Sequence, residues 1–221
     1  GHDLKVAILK MMNRIKEQQQ YPQCLELCNI SSIFKRKGSR NDFNQYRGIF
    51  CVVIHQTILE RLIYNDEYYD IDTNLSDANV GARKHRNIRD NLFVVNAVLN
   101  SVKQGSEEAL DLCAYDVDKC FDSLWTYECM NDLYEAGLKN DKLPLLFKMN
   151  QSAQIAVRTP IGTTKRETIN NIIMQGTVWG SLLCAATTDK LAKKVYEEKR
   201  HLYKYKGEVE LPPLEMVDDI L

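Results

Sequence analysis

Three acidic residues sit where an uncompensated carboxylate is costly. Asp116 follows the largely apolar stretch 109–115, and Asp218-Asp219 interrupts Leu214, Met216 and Val217 on one side and Ile220-Leu221 on the other. Two adjacent Asp on a regular strand face opposite ways, because side chains alternate. A tight turn at the pair removes that constraint. An Asp-Asp turn meeting a third Asp on a neighbouring strand makes a cage of hard oxygen donors, the kind Mg²⁺ prefers, with positions left for water and phosphate. Two ions held roughly 3.5–4 Å apart in such a cage stabilise the attacking and leaving oxygens of an in-line phosphoryl displacement. Taken alone, the same residues serve equally well as a helix cap at Asp116 and a solvated turn at Asp218-Asp219.

The elements that must position these acids are legible as an α+β chain with no internal repeat or linker. Leu4, Ile8, Met11, Met12 and Ile15 recur at helical spacing, and the stretch to Pro22 ends that helix. Residues 28–35 read as a strand entering a basic loop. Helices are predicted around 55–68 (Ile58, Leu59, Leu62 and Ile63 on one face) and 88–103 (Leu92, Val95, Val98 and Leu99). Residues 109–117 read as a buried strand, followed by helices near 119–136 and 141–150, with Gly137 closing the first. Segments 153–159 and 163–169 alternate around Pro160-Ile161-Gly162, which predicts a hairpin. A helix near 177–199 and a strand from Leu214 to Leu221 complete the chain.

Composition narrows the options. The 221 residues are 44% hydrophobic and 27% charged, with a net charge of −1, so any attraction for nucleic acid must come from local clusters. Two clusters exist: Lys35, Arg36, Lys37, Arg40 and Arg47 against the single acid Asp42, and Arg83, Lys84, His85, Arg86 and Arg89. Such segregation binds phosphate backbones, though a solvated loop face has the same composition. Seven cysteines, an odd number without a C-x-x-C pair, argue against a disulfide framework and a zinc site, and fit an intracellular protein. No apolar run reaches the roughly 18 residues of a membrane span, so no membrane partner is expected.

Five segments in order resemble those of reverse transcriptases, closest to the kind encoded by non-LTR retrotransposons. Ile33-Phe34-Lys35 with Asn44-Gln45-Tyr46-Arg47-Gly48-Ile49 resembles the Ile-Pro-Lys … Tyr-Arg-Pro-Ile segment of the fingers. Gly81-Ala82-Arg83 followed by Asn87-Ile88-Arg89-Asp90 resembles the Gly-Phe-Arg block. Tyr115-Asp116-Val117-Asp118-Lys119-Cys120-Phe121-Asp122 resembles the first catalytic block, Gln175-Gly176-Thr177 the Gln-Gly block, and Met216-Val217-Asp218-Asp219 the x-x-Asp-Asp block.

The resemblance implies a right-hand polymerase fold with an antiparallel palm sheet packed on helices, truncated before the thumb. Residues 3–108 would be mainly fingers and 109–221 mainly a partial palm, with part of 126–175 packing with the fingers. It implies an RNA-directed DNA polymerase of a retroelement, working on an RNA template, a DNA primer and dNTP with two Mg²⁺ ions (or Mn²⁺), in a nuclear or cytoplasmic ribonucleoprotein. Asp116, Asp218 and the Val117 carbonyl would hold metal, with Asp219 as third catalytic carboxylate. Lys35, Arg47, Phe121, Gln175 and Gly176 would meet the nucleotide, Phe121 as a gate against a 2′-hydroxyl or else as ordinary core. Lys37, Arg40, Arg83, Lys84, Arg86 and Arg89 would contact nucleic acid. A non-catalytic RNA-binding module derived from such an enzyme is the alternative.

The departures are Met216 for the usual aromatic, Phe34, Gly48 and Val178 for prolines, and Ala82 for the aromatic of Gly-Phe-Arg; none removes a carboxylate. Because only two residues follow Asp219, the return strand of the catalytic hairpin is expected to be missing. Polymerisation by these residues alone is expected to be weak or absent.

Overall fold

The computed structural model describes residues 1–105, 110–171, 173–198, 202–217 and 219–221. Its main core is helical. Helix α1 (His2–Gln18) contributes Met12 and Ile15, and the long α2 (Ile54–Asn74) contributes Leu59, Ile63 and Ile71. Against them pack α5 (Thr126–Glu135) with Met130 and Leu133, α6 (Leu143–Gln151) with Leu145 and Met149, and α7 (Gly180–Glu197) with Leu182 and Leu183, all around Trp179. Each such side chain taken fully out of water contributes about 1.5–3 kcal/mol, which is what holds helices of ordinary propensity in place.

Within α2 only part of the predicted stripe is used. Leu59 and Ile63 are buried, whereas Ile58 and Leu62 remain exposed. The buried face instead carries Gln56, Glu60 and Glu67, each satisfied by a neighbour. Helix α3 (Ile88–Lys103) begins where its sequence dictates: Asn87 Oδ1 accepts from Arg89 N at 2.8 Å while Asp90 Oδ2 accepts from Asn87 N at 3.1 Å, a reciprocal cap.

Strand β1 (Leu27–Phe34) lies antiparallel to β2 (Tyr46–Val52), running from Cys28↔Val52 to Phe34↔Tyr46. On its other side β1 runs parallel to β4 (Ser152–Thr159), from Leu27↔Gln154 to Ser31↔Arg158. The predicted hairpin follows, with β5 (Gly162–Thr163) and β6 (Glu167–Asn170) both returning along β4. This mixed sheet has the order β2-β1-β4-β5, with β6 also on β4.

A second sheet has the order β3-β10-β9, formed by β3 (Tyr115–Asp116), β9 (Glu215–Met216) and β10 (Asp219–Ile220). Two expectations change here. The strand predicted over 109–117 is buried nowhere among its described residues except in part at 110 and 117, and only Tyr115–Asp116 is paired. Apolar content signalled burial, but the segment gains a single strand neighbour, β10, which is two residues long. The return strand expected to be missing is present: Asp219–Ile220 turns back along β9 and pairs with β3. A two-residue turn needs so little chain that Ile220 already completes the ladder.

The short α4 (Cys120–Ser123) joins β3 to α5. A hairpin of β7 (Lys204–Tyr205) and β8 (Val209–Glu210), turning through Lys206-Gly207, was not visible in the sequence pattern. Among the described residues no helix is long and apolar enough to cross a membrane.

Candidate active site

The register of the small sheet brings two of the three acids together. Asp219 is the direct partner of Asp116 across the antiparallel β10·β3 pair, and Ile220 is the partner of Tyr115. Directly opposed residues point to the same face, with Cβ atoms about 4.5–5.5 Å apart. Two carboxylates in that relation repel one another, and a cation between them would relieve the repulsion. The β9·β10 pairs Asp219↔Met216 and Ile220↔Glu215 leave positions 217 and 218 as the turn. Val217 there adopts a left-handed φ of 60°, unusual for a β-branched residue. Asp218 lies outside the described residues. Among the described residues no three His, Cys, Asp or Glu side chains gather into a metal site; the acids the register brings together are the pair Asp116–Asp219. Its donors are all hard oxygens and Asp116 is exposed to incoming ligands, which suits Mg²⁺ or Mn²⁺ and not zinc.

Beyond β3 the chain turns at once into α4. Asp122 N and Ser123 N both bond to Lys119 O, and Ser123 Oγ donates to Asp118 O at 3.0 Å. Val117 and Phe121 are half-buried against the main core, so the Phe121 ring has one side fixed by packing.

The Gln-Gly segment is docked elsewhere, between the fold's two layers. Phe50 N on β2 donates to Gln175 O at 2.9 Å, and Val178 N donates to Glu60 Oε2 at 3.0 Å. Burial pushes the Glu60 carboxyl up, opposed by its hydrogen bonds from Gln56 and Val178. Gly176 has φ +106°, and a Cβ there would lie 2.9 Å from Ile49 Cγ2 and 3.3 Å from Phe50 O. Ile49 is two residues from the exposed Arg47 on β2 and shares its face, so Gly176 and Arg47 lie along one strand face. Gly176→Ala is expected to lower stability by about 2 kcal/mol, from backbone strain plus overpacking, as read from the urea midpoint. An unchanged midpoint would mean that the segment does not rest on β2.

Lys35, Arg36, Lys37 and Arg40 are exposed on the β1–β2 connection. Its one acid is engaged internally: Asp42 accepts from Asn44 N at 2.9 Å and from Gln45 Nε2 at 3.0 Å. The Gln45 hydrogen bond, then that from Asn44, lowers the Asp42 pKa, so it stays ionised as a turn former. Lys35 Nζ donates to Asn44 O, and Arg40 lies 5.5 Å from the Phe34 ring centroid. The parallel register Ser31↔Arg158 sets beside β1 a cation that the linear sequence gave no reason to group with it, the exposed Arg158, while the exposed Lys165 of the β4–β6 hairpin lies 3.8 Å from Glu167.

The second basic cluster is divided, and Arg83 is a correction. Its guanidinium is buried and donates to Asp72 Oδ1 (2.7 Å), Asp72 O, Ser76 O and Asn79 O. With its fork engaged inside the chain it cannot reach a phosphate; it ties the end of α2 to the segment that follows. Arg86 pairs with the exposed Asp77, a surface contact worth at most about 1 kcal/mol. Lys84 and Arg89 are exposed, with Lys84 Nζ 4.4 Å from the Tyr68 ring centroid.

The fold is a mixed α+β one, and among the solved structures that share it are telomerases. One is telomerase from Candida albicans, solved in complex with the TWJ fragment of telomeric RNA: TM-score 0.54, 13% identity, covering 91% of this chain and 39% of that one. Another is apo telomerase from Candida tropicalis truncated from its C-terminal domain: TM-score 0.53, 12% identity, covering 98% of this chain and 48% of that one. The chain thus spans less than half the length of either telomerase chain. No protein-family profile matches the sequence, and no curated protein matches it. At this identity the likeness is one of fold.

Proposed function

We propose that this chain carries the nucleotidyl-transfer site of an RNA-directed DNA polymerase, acting with dNTP, an RNA template and a DNA primer. The observation that carries the reading is the register Asp219↔Asp116, which sets two carboxylates side by side at the end of a two-residue turn. Asp116, Asp219, Asp218 and the Val117 carbonyl would hold two Mg²⁺ ions, which when bound supply charge neutralisation at the attacking and leaving oxygens.

The chain's own groups do the rest. Lys35 and Arg47 bind the triphosphate by charge-assisted hydrogen bonds. Gly176 lets backbone approach the template–nucleotide pair, and Gln175 faces that pair. The half-buried Phe121 excludes a 2′-hydroxyl, favouring deoxynucleotides. The five segments in order support a retroelement enzyme of the non-LTR kind, working in an intracellular ribonucleoprotein; the telomerase likeness in fold supports the broader reading.

Titration with Mn²⁺, followed by water-proton relaxation, tests the site. Binding that weakens at least about tenfold in both Asp116→Asn and Asp219→Asn supports the reading. Equal binding in all three proteins would reject it in favour of a non-catalytic RNA-binding module. Lys37, Arg40, Arg158 and Lys165 form the expected RNA face, with Lys84, Arg86 and Arg89 as the second group. RNA affinity should fall steeply with salt, and Arg158→Ala with Lys165→Ala should reduce the log–log slope by roughly 1.4, at about 0.7 per phosphate contact on a single strand. An unchanged slope would remove those two residues from the interface.

A further inference from the structure

The left-handed turn at Val217 is held in part by a group that no sequence motif contains. Thr188, buried on α7, donates from Oγ1 to Val217 O at 2.7 Å. A hydroxyl has one proton, and a helical Thr commonly gives it to its own helix. Those acceptors are present here at greater distance, Ala185 O at 3.1 Å and Cys184 O at 3.2 Å. The shortest contact is therefore the one that crosses to the turn.

Residues 78–81 lie beside β9, with Glu215 N donating to Ala78 O at 3.1 Å and Val80 N to Glu215 O at 3.0 Å, and Asn79 Nδ2 ties the same segment to Ala185 O of α7 at 3.0 Å. Buried Asn91 of α3 closes that seam, its Nδ2 donating to both Ala78 O and Glu215 O at 3.1 Å. Gly81 admits the turn itself: a Cβ at that position would lie 2.3 Å from Val217 N. Three separate parts of the chain thus grip the backbone of one short hairpin. Ordinary strand pairing does not require this, because the ladder bonds of β9 and β10 do not fix the strained Val217.

We infer that Thr188 is a positioning residue for the proposed metal site: through Val217 it fixes how the turn presents Asp219 to Asp116, and so sets the affinity for a divalent cation. Asn91, through Glu215 O, and Gly81, beside Val217 N, hold the neighbouring backbone of the same hairpin. The functional half of this inference rests on the nucleotidyl-transfer reading; the clamp itself does not.

Thr188→Val keeps the shape of the side chain and removes the hydroxyl, whereas Thr188→Ser keeps the hydroxyl. Two readouts on the whole chain separate positioning from simple stabilisation. In Thr188→Val, the peptide 214–221 is expected to exchange amide hydrogens at least about tenfold faster, while α5 and α6 keep their protection. Mn²⁺ affinity is expected to fall about tenfold, and Thr188→Ser is expected to restore both. Unchanged exchange at 214–221 in Thr188→Val, or a loss spread evenly over the fold, overturns the inference, as does failure of Thr188→Ser to rescue. If the unsubstituted chain binds no Mn²⁺, the nucleotidyl-transfer reading fails, and the exchange result alone decides whether the clamp exists.

Discussion

Asp116→Asn should separate function from stability in opposite directions. Removing this carboxylate is expected to reduce nucleotidyl transfer on the order of 10³-fold or more, because a direct metal donor is lost where even outer-shell losses cost 10–100-fold. The metal-free fold is expected to become more stable by roughly 0.2–1 kcal/mol, since Asp116 and Asp219 are directly opposed like charges and Asn relieves the repulsion. A melting experiment without and with Mn²⁺ shows both halves. The parent protein gains stability on adding the ion and the variant does not. A variant that loses stability in the absence of metal would mean that the two acids are structural, with partners that a neutral amide cannot satisfy.

Glu215 gives the second large effect. It is buried at the base of the hairpin, one oxygen accepting from Asn79 Nδ2 at 3.3 Å. Burial, then the negative charge of Asp189, pushes its pKa from 4.5 up to about 8, against the opposing pull of Lys193, Thr188 and Arg83. The folded chain therefore keeps a proton that the unfolded chain has already released. This group's contribution is most favourable below the ordinary carboxylate range, declines as pH rises from 4.5 towards 8, and is constant above that. The decline amounts to several kcal/mol, at about 1.4 kcal/mol per pH unit. Glu60, raised by burial on α2, adds a slope of the same sign. Glu215→Gln should thus unfold at a higher urea concentration than the parent above pH 8 and differ little from it near pH 5, with a flatter profile between. A parent profile that rises from pH 5 to 8 would show that Glu215 is ionised and paired in the fold.

The sequence was most informative where local physics decides the outcome. The spacing of Leu92, Val95, Val98 and Leu99 placed α3, and the Pro160-Ile161-Gly162 turn placed the β4–β6 return. A break in the strand 214–221 was legible at the acid pair, and the chain reverses between Met216 and Asp219. What escaped was set by contacts distant in sequence. Apolar residues at 109–117 signal a buried strand only if strands exist on both sides, and β3 has one neighbour. Arg83 carries the same charge as Lys84, yet its guanidinium fits the carbonyls of Ser76 and Asn79 and is drawn inside. Arg158 comes beside Ser31 of β1 only through the parallel pairing of β1 with β4. Thr188 did leave a trace, a hydroxyl on the mostly apolar buried face of α7, but nothing local says which carbonyl it will choose.

The most direct test is an anomalous difference map from crystals grown with Mn²⁺. The expected result is a peak within about 2.0–2.3 Å of carboxylate oxygens from both Asp116 and Asp219, on the face they share. Clear density for both side chains on opposite faces of the sheet, or a Mn²⁺ peak bound away from them, would contradict the account.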